Sequence, residues 1–211
     1  MSGAETDDGD FGPIIVGRIT EIVTSPEARR IDFTLASISV DGAGLYTVAT
    51  ALAAGVISAT VGAMENPGAQ AEYQNSGNYF TFPTVSFGGT NPEKMAILHE
   101  SVHAMQDVNL GRPSRGTAST YETENEAAAY VAGCLYYLYK TNDNSTNEID
   151  FTQLFPHFDQ AFKIAAKIKD KPGSVVAADD ADELRRLIMC HPAYWTSTNL
   201  YAPTFSNGPY L

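Results

Sequence analysis

Residues 99–103 read His-Glu-Ser-Val-His, and this H-E-x-x-H run constrains the chain more than any other stretch. On a helix, positions i and i+4 lie on one face, so His99 and His103 would present two imidazoles to one metal ion. Glu100 stands one step round, where its carboxylate would take a proton from a water held at the metal. The fold must therefore supply a helix here, a cleft beside it and a third ligand from another element. The flanking sequence agrees. Asn91-Pro92-Glu93 offers a capping side chain, a proline at the first helical position and an acid in the first turn. Met95, Leu98, Val102 and Met105 recur at helical spacing as a core-facing stripe, with the two histidines beside it.

The third ligand is sought on the next helix, expected from about Thr120 to Lys140. It carries Glu122, Glu124 and Glu126 in its first turns. A catalytic zinc takes three protein ligands and leaves one position open. On a helical wheel Glu122 and Glu126 share a face with Ala129 and Gly133, whereas Glu124 points the opposite way, with Val131 and Leu135. Metal–ligand bonds of about 2 Å need the two helices close together, and small residues permit that approach. The order of preference is therefore Glu126, then Glu122, then Glu124. Acids that do not ligate would still suit the positive end of a helix dipole. Gln106, Asn125 or Asp107 would support the imidazoles.

The balance of 13 Lys and Arg against 25 Asp and Glu, a net charge of −12, argues against nucleic acid or an anionic membrane as partner. Cys134 and Cys190 are too few for a disulfide framework and are expected as buried thiols. With no basic, then apolar, leader, the expected location is cytoplasmic, or exported without a cleavable signal peptide. Residues 1–10 should form a disordered acidic tail, and 11–211 one domain: strand-containing over about 11–90, helical over about 91–195, then an irregular tail. Pro13 to Val23 reads as a strand. Ile31, Phe33 and Leu35 alternate, and a phase shift brings in Ile38 and Val40, suggesting one strand with a bulge. Gly42 to Met64 is uncharged and rich in small residues. It reads as a long buried helix stopped by Glu65-Asn66-Pro67-Gly68. Asn78 to Phe87 alternates around Pro83, which assigns it to an edge strand able to pair with an extended peptide. Further helices are expected over Pro156 to Lys169 and after Asp179-Asp180, the latter acting as caps. The fold class is thus α+β, mainly helical, with a small N-terminal sheet whose edge strand precedes the metal helix. Tyr130, one turn after Glu126, and His191, in the Cys190-to-Trp195 cluster, are candidate oxyanion donors; His157 stands in no motif.

His99-Glu100-Ser101-Val102-His103, followed 23 residues after His103 by Glu126 in Asn125-Glu126-x-x-Ala129, resembles the gluzincin metallopeptidases and small bacterial zincin-like proteins. The resemblance covers Met95 to about Tyr137. It implies a zincin-like fold, zinc held by His99, His103 and Glu126, Glu100 as general base, and hydrolysis of a peptide or protein substrate. The alternative is a binding or effector protein on the same scaffold, inactive or of narrow specificity, acting through protein contacts.

Overall fold

A computed structural model describes residues 11–64, 69–110, 120–141, 155–191 and 203–204, with the backbone alone at 110, 120–122, 203 and 204. The acidic tail, the 65–68 stop signal, Glu122's side chain and the Tyr194-Trp195 pair lie outside what is described.

The chain opens with a helix, α1 (Gly12–Val23), where a strand was expected. Ile15, Ile19, Ile22 and Val23 are its buried residues, spaced i, i+4, i+7 and i+8. That spacing is helical, and Pro13 is tolerated near the first position because its missing N–H is not needed there. Ser25 then caps the short α2 (Pro26–Arg29), its hydroxyl accepting from Ala28 N–H at 3.1 Å. The expected bulged strand is instead a hairpin of β1 (Asp32–Leu35) and β2 (Ile38–Asp41), paired Phe33 to Val40 and Leu35 to Ile38. The phase shift is a two-residue turn at Ala36-Ser37, with Ala36 at φ 50°. The turn puts Phe33, Leu35, Ile38 and Val40 on one buried face.

Asp41 caps α3 (Gly42–Ala53), accepting from Gly44 N–H at 2.6 Å. This helix ends far short of Met64, because Gly55 takes φ 68° just past the C-cap, a conformation that favours glycine. The remaining apolar residues form β3 (Ser58–Val61). Next come β4 (Glu72–Gln74) and β5 (Tyr79–Phe82) in a sheet ordered β3-β5-β4. The stretch expected at the edge is therefore the central strand: β5 pairs in parallel with β3 and antiparallel with β4. Pro83 follows its last residue, so the missing N–H limits the strand's length without exposing it.

α4 (Asn91–Leu110) carries the H-E-x-x-H run. Its cap is Thr90, one residue before the expected Asn91. Thr90 N–H donates to Glu93 Oε2 at 2.8 Å while Glu93 N–H donates to Thr90 Oγ1 at 3.4 Å, a reciprocal capping box. After β6 (Thr120–Tyr121) comes α5 (Glu122–Thr141), which packs on α4, α6 (Pro156–Ile168) and α7 (Ala178–Met189). Residues Ala127–Ala129 and Val131–Ala132 of α5, and Cys134–Tyr139, are all buried. A helix apolar on every side belongs at the centre of a helical layer, and α5 is that centre. Asp179 and Asp180 lie in the first turn of α7 and do not cap it. β7 (Ser174–Val175) adds to β1 in parallel, and β8 (Pro203–Thr204) pairs with β6. Cys134 is buried as expected; Cys190 is exposed, because it lies past the end of the apolar stripe of α7. The class is α+β, and no helix among the described residues is long and apolar enough to cross a membrane.

Candidate metal centre

The site forms where α4 and α5 cross. Gly133 permits the approach: a Cβ there would lie 3.2 Å from the carbonyl oxygen of Met95 and 3.9 Å from His99 Cβ. Ala129, fully buried one turn earlier, keeps the rest of the face thin. Glu126 consequently reaches both histidines. Its Oε2 is 3.3 Å from His99 Nε2, its Oε1 is 3.4 Å from His103 Nε2, and the two Nε2 atoms are 3.3 Å apart. Donors placed about 2.0–2.2 Å from one ion at tetrahedral angles stand about 3.3–3.6 Å from each other. The three side chains therefore fit a tetrahedral divalent ion, and they form a cluster of potential metal ligands among the described residues. Two imidazoles and one carboxylate suit zinc better than the harder, oxygen-seeking cations.

Glu124 points away, as the wheel required. It accepts from the Ser37 hydroxyl at 3.1 Å and pairs with Arg185 at 3.6 Å.

Glu100 is held beside the triad, with Oε1 3.9 Å from His99 Nε2. Its other oxygen accepts the backbone N–H of Tyr73 at 2.9 Å. The outer strand β4, not β5, thus faces the metal helix. Tyr73 grips α4 a second time through its phenol, which donates to the buried Asp107 at 3.1 Å. Asp107, expected beside an imidazole, serves Tyr73 instead, and Gln106 Nε2 is buried with no hydrogen-bond partner among the described residues.

The electrostatics separate the two histidines. Burial pushes His103 down to about 4, against the attraction of Glu126. Burial also opposes the charged form of His99, but its hydrogen bond to the Glu126 carboxylate and the charges of Glu100 and Glu126 outweigh it, and its pKa is raised. Glu100 is pushed up to about 7, chiefly by burial and further by Glu126 and Glu72, against the pull of His99 and the Tyr73 N–H.

The remaining candidates line up behind His99. Tyr130 packs its ring against His99, with centroids 4.5 Å apart. His157 comes next, 4.8 Å from Tyr130, and His191 lies beyond it, 4.9 Å from His157. Sequence reasoning singled out His191 and passed over His157, which sits nearer the triad and is only 2% exposed. The one available signal was scarcity, since the chain has four histidines and all four converge here.

Compared with protein-family models, curated proteins and solved structures, the chain matches none of them.

Proposed function

We propose that this protein is a zinc metallopeptidase of the zincin kind that hydrolyses a peptide bond in a peptide or protein substrate. The observation that carries the reading is the meeting of His99, His103 and Glu126 at tetrahedral spacing, with a fourth group, Glu100, held beside them. Those three side chains would hold the ion and leave a position open, as catalytic sites do and structural ones do not. A bound ion would supply Lewis-acid polarisation of the scissile carbonyl and lower the pKa of water.

The chain's own residues do the rest. Glu100 takes the proton of the attacking water and passes it to the leaving amine. Burial, which raises the pKa of Glu100, helps it to hold the proton between the two halves of that task. The Tyr73 N–H fixes one carboxylate oxygen, which leaves the other to accept the proton. Tyr130, whose ring packs against His99, would steady the developing oxyanion. The net charge of −12 disfavours nucleic acid and anionic membranes as partners.

The test is metal content beside hydrolysis of an unfolded protein. Wild type should carry one tightly held zinc per chain and Glu126→Ala none. Glu100→Gln should keep the zinc and lose about 10²–10⁴-fold in rate, the span of general-base catalysis. Folded wild type that takes up no zinc when it is supplied would overturn the proposal. So would a Glu100→Gln variant as active as wild type.

A further inference from the structure

The four histidines form two pairs, and only the first has a role so far. His157 stands in the first turn of α6 and His191 just past the end of α7, two helices that pack together. Their ring centroids are 4.9 Å apart and their planes are 78° to one another. In the first pair, His99 and His103, the centroids are 5.0 Å apart at 73°, and that arrangement sets the Nε2 atoms 3.3 Å from each other. The second pair matches the first in ring separation and tilt.

A separate observation concerns His157 alone. Its ring is 2% exposed, and its Nδ1 is buried with no hydrogen-bond partner among the described residues. A buried ring nitrogen that has left water without finding a partner is uncommon in a native protein and calls for a ligand. Phe155 backs both rings, at 5.8 Å from His157 and 5.0 Å from His191, so the pair has an apolar wall. Burial also keeps His157 neutral, with a pKa pushed down to about 4, and neutral imidazole is the form that binds metals.

We propose that His157 and His191 form a second metal site, taking a borderline divalent transition ion such as Zn²⁺, Ni²⁺ or Cu²⁺. Imidazole donors select that class over Ca²⁺ or Mg²⁺. The Tyr130 ring packs against both His99 and His157, and the two sites share no ligand. Among the described residues no Cys, Asp or Glu joins His157 and His191 to make a set of three. Two protein ligands give weaker binding than three. The site therefore fills after the first, as the concentration of metal rises.

The experiment is calorimetric titration of Zn²⁺ into the full chain stripped with a chelator, which reads stoichiometry and needs no hydrolysis. Wild type should bind two equivalents, one tight and one weaker. His157→Phe, which keeps an aromatic ring in the buried position, and His191→Ala, at a helix end, should each keep the tight equivalent and lose the weaker one. Circular dichroism confirms that they fold. The pair His99→Ala with His103→Ala should lose the tight equivalent and keep the weaker, so failure of the first site reads separately. A single equivalent in wild type up to about 1 mM zinc, a millimolar limit on affinity, would overturn the proposal. So would a second equivalent that persists in folded His191→Ala or His157→Phe. Loss of the second equivalent in Cys190→Ser, the exposed thiol next in sequence, would equally reject the histidine pair.

Discussion

In the proposed site, Gly133 is the position at which packing and metal binding would be coupled most directly, and its substitution would separate the two. A methyl group there would stand 3.0 Å from Met95 Cγ and 3.2 Å from the Met95 carbonyl oxygen, against an ordinary contact of 3.4 Å. The Met95 side chain can swing aside, but its carbonyl belongs to α4 and cannot. Alanine therefore requires α4 and α5 to separate by about 0.2 Å, which is the tolerance of a metal–ligand bond. Gly→Ala in a helix interior also gains about 1 kcal/mol of propensity. Gly133→Ala should thus melt within a few degrees of wild type and lose no more than about tenfold in zinc affinity, or ~1.4 kcal/mol. Gly133→Leu has no such escape, because its Cγ and Cδ atoms push directly on α4. Overpacking should destabilise it by about 1–3 kcal/mol, and Glu126 should be drawn out of reach of the histidines. Zinc affinity would then fall by about 100-fold or more, at least the loss seen when a metal site's supporting shell is disturbed. The measurements are the melting temperature of the chelated protein and competition for zinc against a chromophoric chelator. Gly133→Leu with wild-type zinc affinity would refute the reasoning, since the helices would then not need their close approach. Complete loss of metal in Gly133→Ala would refute the magnitude.

Two other perturbations test separate parts of the site. Asp107 is pushed up to about 6, chiefly by burial, while its bond from Tyr73 works the other way. Between about pH 4 and pH 6 the folded chain holds a proton that the unfolded chain has lost. Stability therefore falls across that window as pH rises, by about 2–3 kcal/mol. Asp107→Asn should remove this slope, and urea unfolding from pH 4 to pH 8 would show it; wild-type and variant curves that run parallel would discount Asp107. The glutamates of α5 should divide by role. Glu126→Ala loses the metal, whereas Glu124→Ala keeps it and loses only about 0.5–1.5 kcal/mol of stability, because Ser37 is exposed and Arg185 keeps its pairing with Asp182. Zinc analysis and thermal melts of the two variants decide this, and loss of zinc in Glu124→Ala would contradict the geometry.

What the sequence disclosed and what it hid follow from the range of the interactions involved. The α4 and α5 helices were legible because their demands are local or concern one facing pair. A histidine pair at i, i+4 must share a face, and Ala129 and Gly133 announce which side of α5 comes close. The N-terminal half resisted for particular reasons. In α1 a run of Ile and Val suggested a strand, yet the buried set Ile15, Ile19, Ile22 and Val23 is helical. The β1–β2 turn hid because Ala36-Ser37 has neither glycine nor asparagine, although Ala36 adopts a positive φ. The α3 helix was overextended because Gly55 ends it within a run that carries no charge to mark the stop.

Strand order and the second histidine pair lie beyond any local signal. Whether Tyr79–Phe82 is an edge or a centre depends on β3 arriving from one side and β4 from the other, and no feature of those four residues records it. The consequence is chemical as well as topological. Because β5 is central, it is the three-residue β4 that reaches the site, and through Tyr73 it holds both Glu100 and Asp107 of α4. The group proposed as general base is therefore oriented by a strand that no motif marks. His157 is hidden in the same way. It meets Tyr130 only because α6 packs along α5, and it meets His191 only because α7 packs along α6. A motif locates ligands that share one helix; it is silent about a pair assembled from two.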